Sequence, residues 1–421
     1  MSYELIILFG MLATFAVSIF KLKVPAGISL MLAAVIGALI AGEGLPVRHL
    51  VEGGFGFLEA IMIIATAMIF MKVMEATGAL ASINVGILKT FYRWPTVLLI
   101  VIVIFVMFPG MLTGLSSTCI LTTGALVAPV LLAMGMPKLA VGSLIAMAAI
   151  FGEVAPPISI PVMIIGGGVD MPYIGFAKPL FLASFPAAIF TAVFYRYRYI
   201  KSFDLDLVLS RLSGTVAHKH GIKLFVPLAF VVIYLIGEIS FHDYFPHLGV
   251  PLIFMIGALI GLFTGEKFNF MEVSRKALKN AMPVMAILVG VGMFLQILTL
   301  TGVRGYLAVK ALYLPNEIKY LATTLMPFLG SAYASASVIG VPLVYVFVGK
   351  NELVVTAVLV LMASLGDLMP PPSLLCAYAA QIVKEQNHFK ILRKSVIPIV
   401  VSMIFGLLIL IFAEEIAAII F

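Results

Sequence analysis

Long runs of apolar residues, each bounded by short polar or charged clusters, organise the whole chain. They lie near 4–20, 25–42, 53–71, 95–112, 118–134, 139–166, 177–195, 222–241, 249–264, 281–300, 320–349, 351–383 and 395–420. A helix needs about 20 residues to cross the hydrocarbon core, so the pattern predicts an all-α polytopic membrane protein. The first run follows Met1 without a small-residue cleavage site and reads as a span rather than a secretory signal.

Two runs are interrupted by small polar residues: Thr113-Gly114-Leu-Ser116-Ser117-Thr118, and Ser331-Ala-Tyr-Ala-Ser335-Ala-Ser337. Both read as tips of re-entrant helical hairpins, because non-helical backbone inside a membrane survives only against protein or water. Two further runs carry double prolines. Gly152-Glu153-Val-Ala-Pro156-Pro157 recurs 214 residues later as Gly366-Asp367-Leu-Met-Pro370-Pro371, and Thr77-Gly78 echoes Thr301-Gly302. Proline within a helix removes a hydrogen bond and clashes with the preceding turn, so both segments should unwind there. The chain thus divides into a first repeat, 1–200, a basic linker, 201–221, and a second repeat, 222–421. The first repeat holds a hairpin near 95–134 and a broken helix near 139–166. The second holds a hairpin near 320–349 and a broken helix near 351–383.

Charge supplies orientation. With both hairpins re-entrant, nineteen Lys and Arg residues fall on one face and six on the other, with Lys72 left over. The richer face should be cytoplasmic. About ten spans plus two hairpins result, with inverted repeats and both termini outside. The composition agrees: 63% of residues are hydrophobic and 11% charged, against about 45–50% and about 25% in soluble domains. The net charge of +7 sits in short loops, as topology requires, and excludes nucleic acid as a partner. Cys119 and Cys376 form neither a disulfide framework nor a metal site.

Inverted repeats with matched helix breaks point to a secondary transporter whose ligands bind near the midplane. Glu153 and Asp367 stand out, since an acid within a span is costly and marks function or a solvated rim. The hydroxyls of Thr113, Ser116, Ser117, Thr118, Ser335 and Ser337 suit a cation or a carboxylate; their alternative role is capping and helix packing. Lys72 and Glu75, at i and i+3, should form a structural pair. No GxxxxGK[ST] loop occurs, so ATP is not expected as an energy source.

The order of these features resembles the large membrane subunit of tripartite ATP-independent periplasmic (TRAP) transporters, within the wider ion transporter superfamily. The likeness is carried by the Gly/Ser tip, Gly124, Pro129, Pro156-Pro157-Ile-Ser159 and Gly166, then Pro342 and Pro370-Pro371-Pro372. The tip departs from the family by running into Cys119, and the two acids are not a family feature. The resemblance implies an elevator-type transporter in a bacterial or archaeal cytoplasmic (inner) membrane. It implies sodium as coupling ion near Ser116, Ser117, Gly152 and Pro156, and near Ser335, Ser337, Gly366 and Pro370; Glu153 and Asp367 join these coupling-ion candidates on their own position within the spans. Substrate would be a small organic anion, a C4-dicarboxylate or related carboxylate. It would lie at Thr113, Gly114, Ser116, Ser117, Thr118, Pro157, Ser159, Ser335, Ser337, Pro371 and Ser373. A small membrane subunit and a periplasmic substrate-binding protein would be partners.

Two readings follow. One is a sodium-coupled TRAP-type permease importing that anion. The other is a stand-alone carrier of the same fold, proton-coupled through Glu153 and Asp367. A channel or receptor is disfavoured by the matched breaks, and no cluster suggests an enzyme.

Overall fold

The computed structural model describes residues 2–200, 203, 221–240, 246–370 and 373–421. The linker at 201–221, apart from 203 and 221, and the prolines 371 and 372 lie outside the described residues. Among those described, all regular structure is helical.

The first half contains α1 (Tyr3–Ala16), α2 (Ala26–Ile40), α3 (Val47–Phe55), α4 (Leu58–Ala76) and α5 (Ala79–Phe91). It continues with α6 (Pro95–Thr113), α7 (Ser116–Ala133), α8 (Lys138–Val154), α9 (Ile160–Gly168) and α10 (Ala177–Tyr199). The second half contains α11 (Val226–Ser240), α12 (Val250–Gly261), α13 (Phe270–Leu300), α14 (Val303–Leu312) and α15 (Asn316–Leu325). It ends with α16 (Ala332–Val346), α17 (Glu352–Leu365), α18 (Leu374–Ile382), α19 (Phe389–Ile411) and α20 (Ala413–Ile420).

Among the described residues six helices are long and apolar enough to cross a membrane, or seven if α3 and α4, bent by 42°, form one span. Two of the six are α6 and α7, the arms of the first hairpin. The ten-span expectation therefore leans on shorter and broken helices, which length alone does not count as spans.

The helices pack as two bodies. In one, α13 runs against α2, α3 and α4, with α12 on α4 and α11 on α12. The α13 crossings are close because glycines meet there. A methyl at Gly290 would fall 2.4 Å from the Gly27 carbonyl oxygen, and one at Gly292 would fall 2.0 Å from that of Gly53. Small residues let membrane helices approach backbone to backbone. In the second body α8 packs against α6, α10, α18 and α19, and α17 against α9, α10 and α19. The helices α5 and α14 lead from the first body into the hairpins, and α14 lies along α16.

Equivalent elements recur along the chain. Gly78 and Gly302, 224 residues apart, both end a helix with positive φ, 83° and 73°. At the same spacing α3–α4 corresponds to α13, and the two run antiparallel, since Gly53 in α3 meets α13 near Gln296 while Lys72 and Glu75 late in α4 meet Val273 and Lys276 at its start. That is the relation expected of an inverted repeat.

Candidate functional site

Each hairpin turns on a left-handed glycine. Gly114 (φ 67°) follows α6, and Gly330 (φ 74°) follows the single 3-10 turn after α15. An L side chain is strained there, so glycine fixes both tips. One extended residue follows, Leu115 or Ser331, and the return helix begins at Ser116 or Ala332. The polar stretches read as breaks are therefore mostly helical; only Gly114-Leu115 and Gly330-Ser331 are irregular. The arms pair antiparallel. Gly110 N–H donates to Cys119 Sγ at 3.0 Å, and Thr123 Oγ1 to the Val106 carbonyl at 3.2 Å. In the second hairpin Ser335 Oγ donates to the Met326 carbonyl at 3.3 Å. At the shared spacing of 216 residues Ser335 stands where Cys119 stands, and a π turn occupies Ile120–Gly124 in one arm and Ala336–Gly340 in the other.

The broken helices match as closely. The first half-helix is followed by an extended residue, Ala155 or Met369, each with ψ 146°, and the second half-helix starts at Ile160 or Leu374. Pro156-Pro157 occupies the first break, and its peptide bond is cis. Tyr173 braces this break: its hydroxyl donates to the Pro157 carbonyl and accepts from Ser159 N–H, both at 2.9 Å. Gly152 presses against α6, where a methyl would meet the Met107 carbonyl oxygen at 2.6 Å.

These elements converge on the two acids, both buried. Tyr333 OH donates to Glu153 Oε1 at 2.7 Å, joining hairpin two to the broken helix of the first repeat. Ser116 Oγ donates to Asp367 Oδ2 at 3.0 Å, joining hairpin one to the broken helix of the second. Ala332 N–H donates to Asp367 Oδ1 at 2.8 Å. Each acid ends a half-helix, where the dipole disfavours negative charge, and faces the start of a return helix, where it favours it. Glu153 Oε2 is buried and has no hydrogen-bond partner. Among the described residues no Lys or Arg pairs with either acid. A buried carboxyl is stable only when paired, neutral or cation-bound. The cluster therefore has room in its chemistry for a proton or a hard cation.

The remaining expected residues divide. Ser117 is half-buried beside Ser116. Thr118 Oγ1 turns to Met68 Sδ at 3.2 Å, and Thr113 Oγ1 donates to the Pro109 carbonyl at 2.8 Å; neither bonds an acid. Ser335 and Ser337 are buried but donate to carbonyls of their own hairpin. The Oγ atoms of Ser159 and Ser373, at equivalent positions, are buried without partners, as is that of Ser364 one turn before Asp367. Gly366 is buried, while Pro156 is half-buried and Pro370 exposed. Sequence reasoning missed Tyr333 and the Ala332 amide. A tyrosine in an apolar run reads as packing, and a backbone N–H leaves no mark in the sequence.

No protein-family model matches the chain, and no curated protein matches it. Among solved structures the chain is similar to the Alcanivorax borkumensis YdaH transporter, whose crystal structure is described as revealing an unusual topology. The TM-score is 0.59 at 15% identity, over 92% of this chain and 97% of that one. The two share a fold. The apolar helices accordingly belong to a multi-pass membrane protein.

Proposed function

We propose that the chain is a secondary active transporter, rather than an enzyme, that moves a small organic anion together with a cation carried at Glu153 and Asp367. The carrying observation is the interlock of two buried, base-free carboxyls from opposite repeats with the tips of both hairpins. A cation or proton there cancels one of the pair's two charges; its loss leaves both for the tips alone to hold. Transport follows an elevator course, with the body containing both hairpins moving against the α13 body while α5 and α14 serve as arms.

The cation is a proton in the first reading, with Glu153 Oε2 as the unoccupied acceptor. Cys119 and Tyr333 are the other titratable groups that face the acids. Sodium is the second reading, favoured by the matched unpartnered hydroxyls of Ser159 and Ser373. Sodium takes oxygen ligands, and those hydroxyls with the carboxyls would supply them. A TRAP-type system would add a small membrane subunit and a binding protein; a stand-alone carrier needs neither. The C4-dicarboxylate class comes from the family resemblance.

The test is the melting temperature of the purified chain in sodium and in potassium across pH. An ion at a hundredfold excess over Kd stabilises by about 2.7 kcal/mol. A pH-dependent shift lost in Glu153→Gln and Asp367→Asn supports the proton. A sodium-specific shift lost in Ser159→Ala or Ser373→Ala supports sodium. No ion effect in the wild type, with full transport in both acid variants, overturns both.

A further inference from the structure

A cavity edged by charged side chains lies away from the acids, where the end of α4 crosses the start of α13. Its volume is about 550 Å³, and its lining includes Lys72, Glu75, Lys276, Lys279 and Asn280, with Val273 as an apolar wall. Lys72 pairs with Glu75 at 2.6 Å and Lys276 with Glu272 at 2.7 Å. Among the described residues Lys279 and Asn280 find no ion-pair or side-chain hydrogen-bond partner, and both are exposed. Lys72 interrupts an apolar helix whose neighbours Met71, Val73 and Met74 are fully buried.

The helix crossing does not require these charges. The 224-residue spacing makes Leu50 equivalent to Ser274 and Gly53 equivalent to Ala277, all buried, so the register holds along α3 and α13. At the opposite end of the same crossing Gln296 takes the place of Lys72, Glu52 that of Lys276, Phe55 that of Lys279 and Gly56 that of Asn280. The same packing thus exists once with lysines and once without. The lysines sit on the face that the charge asymmetry assigns to the cytoplasm.

We propose that this cavity is a binding site for the phosphodiester headgroup of an anionic phospholipid. Basic pockets between helices at the cytoplasmic interface suit such headgroups. Lys279 and Asn280 offer free donors to the phosphate oxygens, Lys72 and Lys276 add charge from either side, and Val273 meets the start of the acyl chains. A lipid held there staples α4 to α13 and so steadies the body against which the hairpins move. The inference does not depend on which cation is coupled.

Binding is measured on the purified full chain in detergent, by native mass spectrometry and by thermal shift, with dioctanoyl phosphatidylglycerol, dioctanoyl phosphatidylcholine and inorganic phosphate as separate probes. Phosphatidylglycerol should bind and raise the melting temperature, and phosphatidylcholine should not. Lys279→Gln should weaken phosphatidylglycerol about fivefold, and Lys276→Gln by a similar factor. Lys279 has no partner to lose, so its variant should keep the lipid-free melting temperature, which serves as the folding control. Equal binding of the two lipids, or unchanged phosphatidylglycerol affinity in both variants, overturns the proposal. An equal response to inorganic phosphate alone also overturns it, in favour of a soluble anion.

Discussion

The hydroxyl of Ser116 donates to the carboxyl of Asp367 across 251 residues of sequence and from one repeat to the other. Removing either group should be felt through its partner. Ser116→Ala leaves Asp367 with only the Ala332 amide and should cost about 1–3 kcal/mol. Asp367→Asn keeps the shape and both contacts in one amide orientation, so it should fold while losing coupled uptake. A double-mutant cycle on thermal unfolding should show a coupling of about 0.5–3 kcal/mol. Strict additivity would mean that the contact is not formed in the membrane.

Tyr333→Phe removes the hydroxyl that donates to Glu153 Oε1 and keeps the ring. Counterflow in proteoliposomes should persist, while uptake driven by the ion gradient should fall and its pH profile should move. An unchanged profile would detach Tyr333 from coupling.

Close glycine contacts give a sharper structural test. A methyl at Gly110 would lie 2.7 Å from the Gly152 carbonyl carbon, and one at Gly152 would lie 2.8 Å from Met107 Cα. Backbone cannot step aside, so Gly110→Ala and Gly152→Ala should each destabilise by about 1–3 kcal/mol. Gly305 has nothing within 4 Å of the same position. In α14, Gly305→Ala should instead stabilise by up to about 1 kcal/mol through helix propensity. Melting temperatures in one detergent compare all three.

Outside the membrane-spanning helices, Glu385 joins the two repeats. Lys138 at the start of α8 lies 2.9 Å from it, and Lys390 lies 3.2 Å away. Lys138, the Asn387 amide and Lys390 hold its carboxyl down to about 2, from an ordinary 4.5. A depressed carboxyl contributes stability above its unfolded value and loses it as pH falls through the folded one. The melting-temperature gap between wild type and Glu385→Gln should be full above about pH 4.5 and close towards about pH 2. A gap independent of pH would refute the ion pair's role.

Several features of this molecule were written in side chains and several were not. The double prolines mark helix ends because proline has no amide to donate, and α8 and α17 stop just before them. The spacing of Lys72 and Glu75 announced a pair, found at 2.6 Å. The hairpin tips were harder. Hydroxyl-rich stretches drew attention to Ser335 and Ser337, yet the turn is set by Gly330, and Ser335 serves the position held by Cys119 in the first hairpin. A cysteine and a serine satisfy the same inter-arm position with different chemistry, which hides the equivalence from any reading by residue type. The acids were visible as isolated charges in apolar runs. Their donors were not, because one is a tyrosine that passes for core and another is a main-chain amide.

The π turn shared by both return arms sets the aim of the tips. It holds one residue more than an α turn would, so the tip half of each arm is rotated by about 100° relative to the remainder. Ser116 and Ala332 look at the acids from that rotated half, while Gly124 and Gly340 seat the other half on Ile145 and Ile165. Deleting one residue there, such as the exposed Leu121, would let the arm close into uninterrupted α-helix. Circular dichroism would register almost nothing, yet Ser116 would swing out of reach of Asp367 and gradient-driven uptake would stop. One surplus residue per arm thus acts as a phase setting, and it explains how a short helix can pack on one side of the molecule and present its end to another.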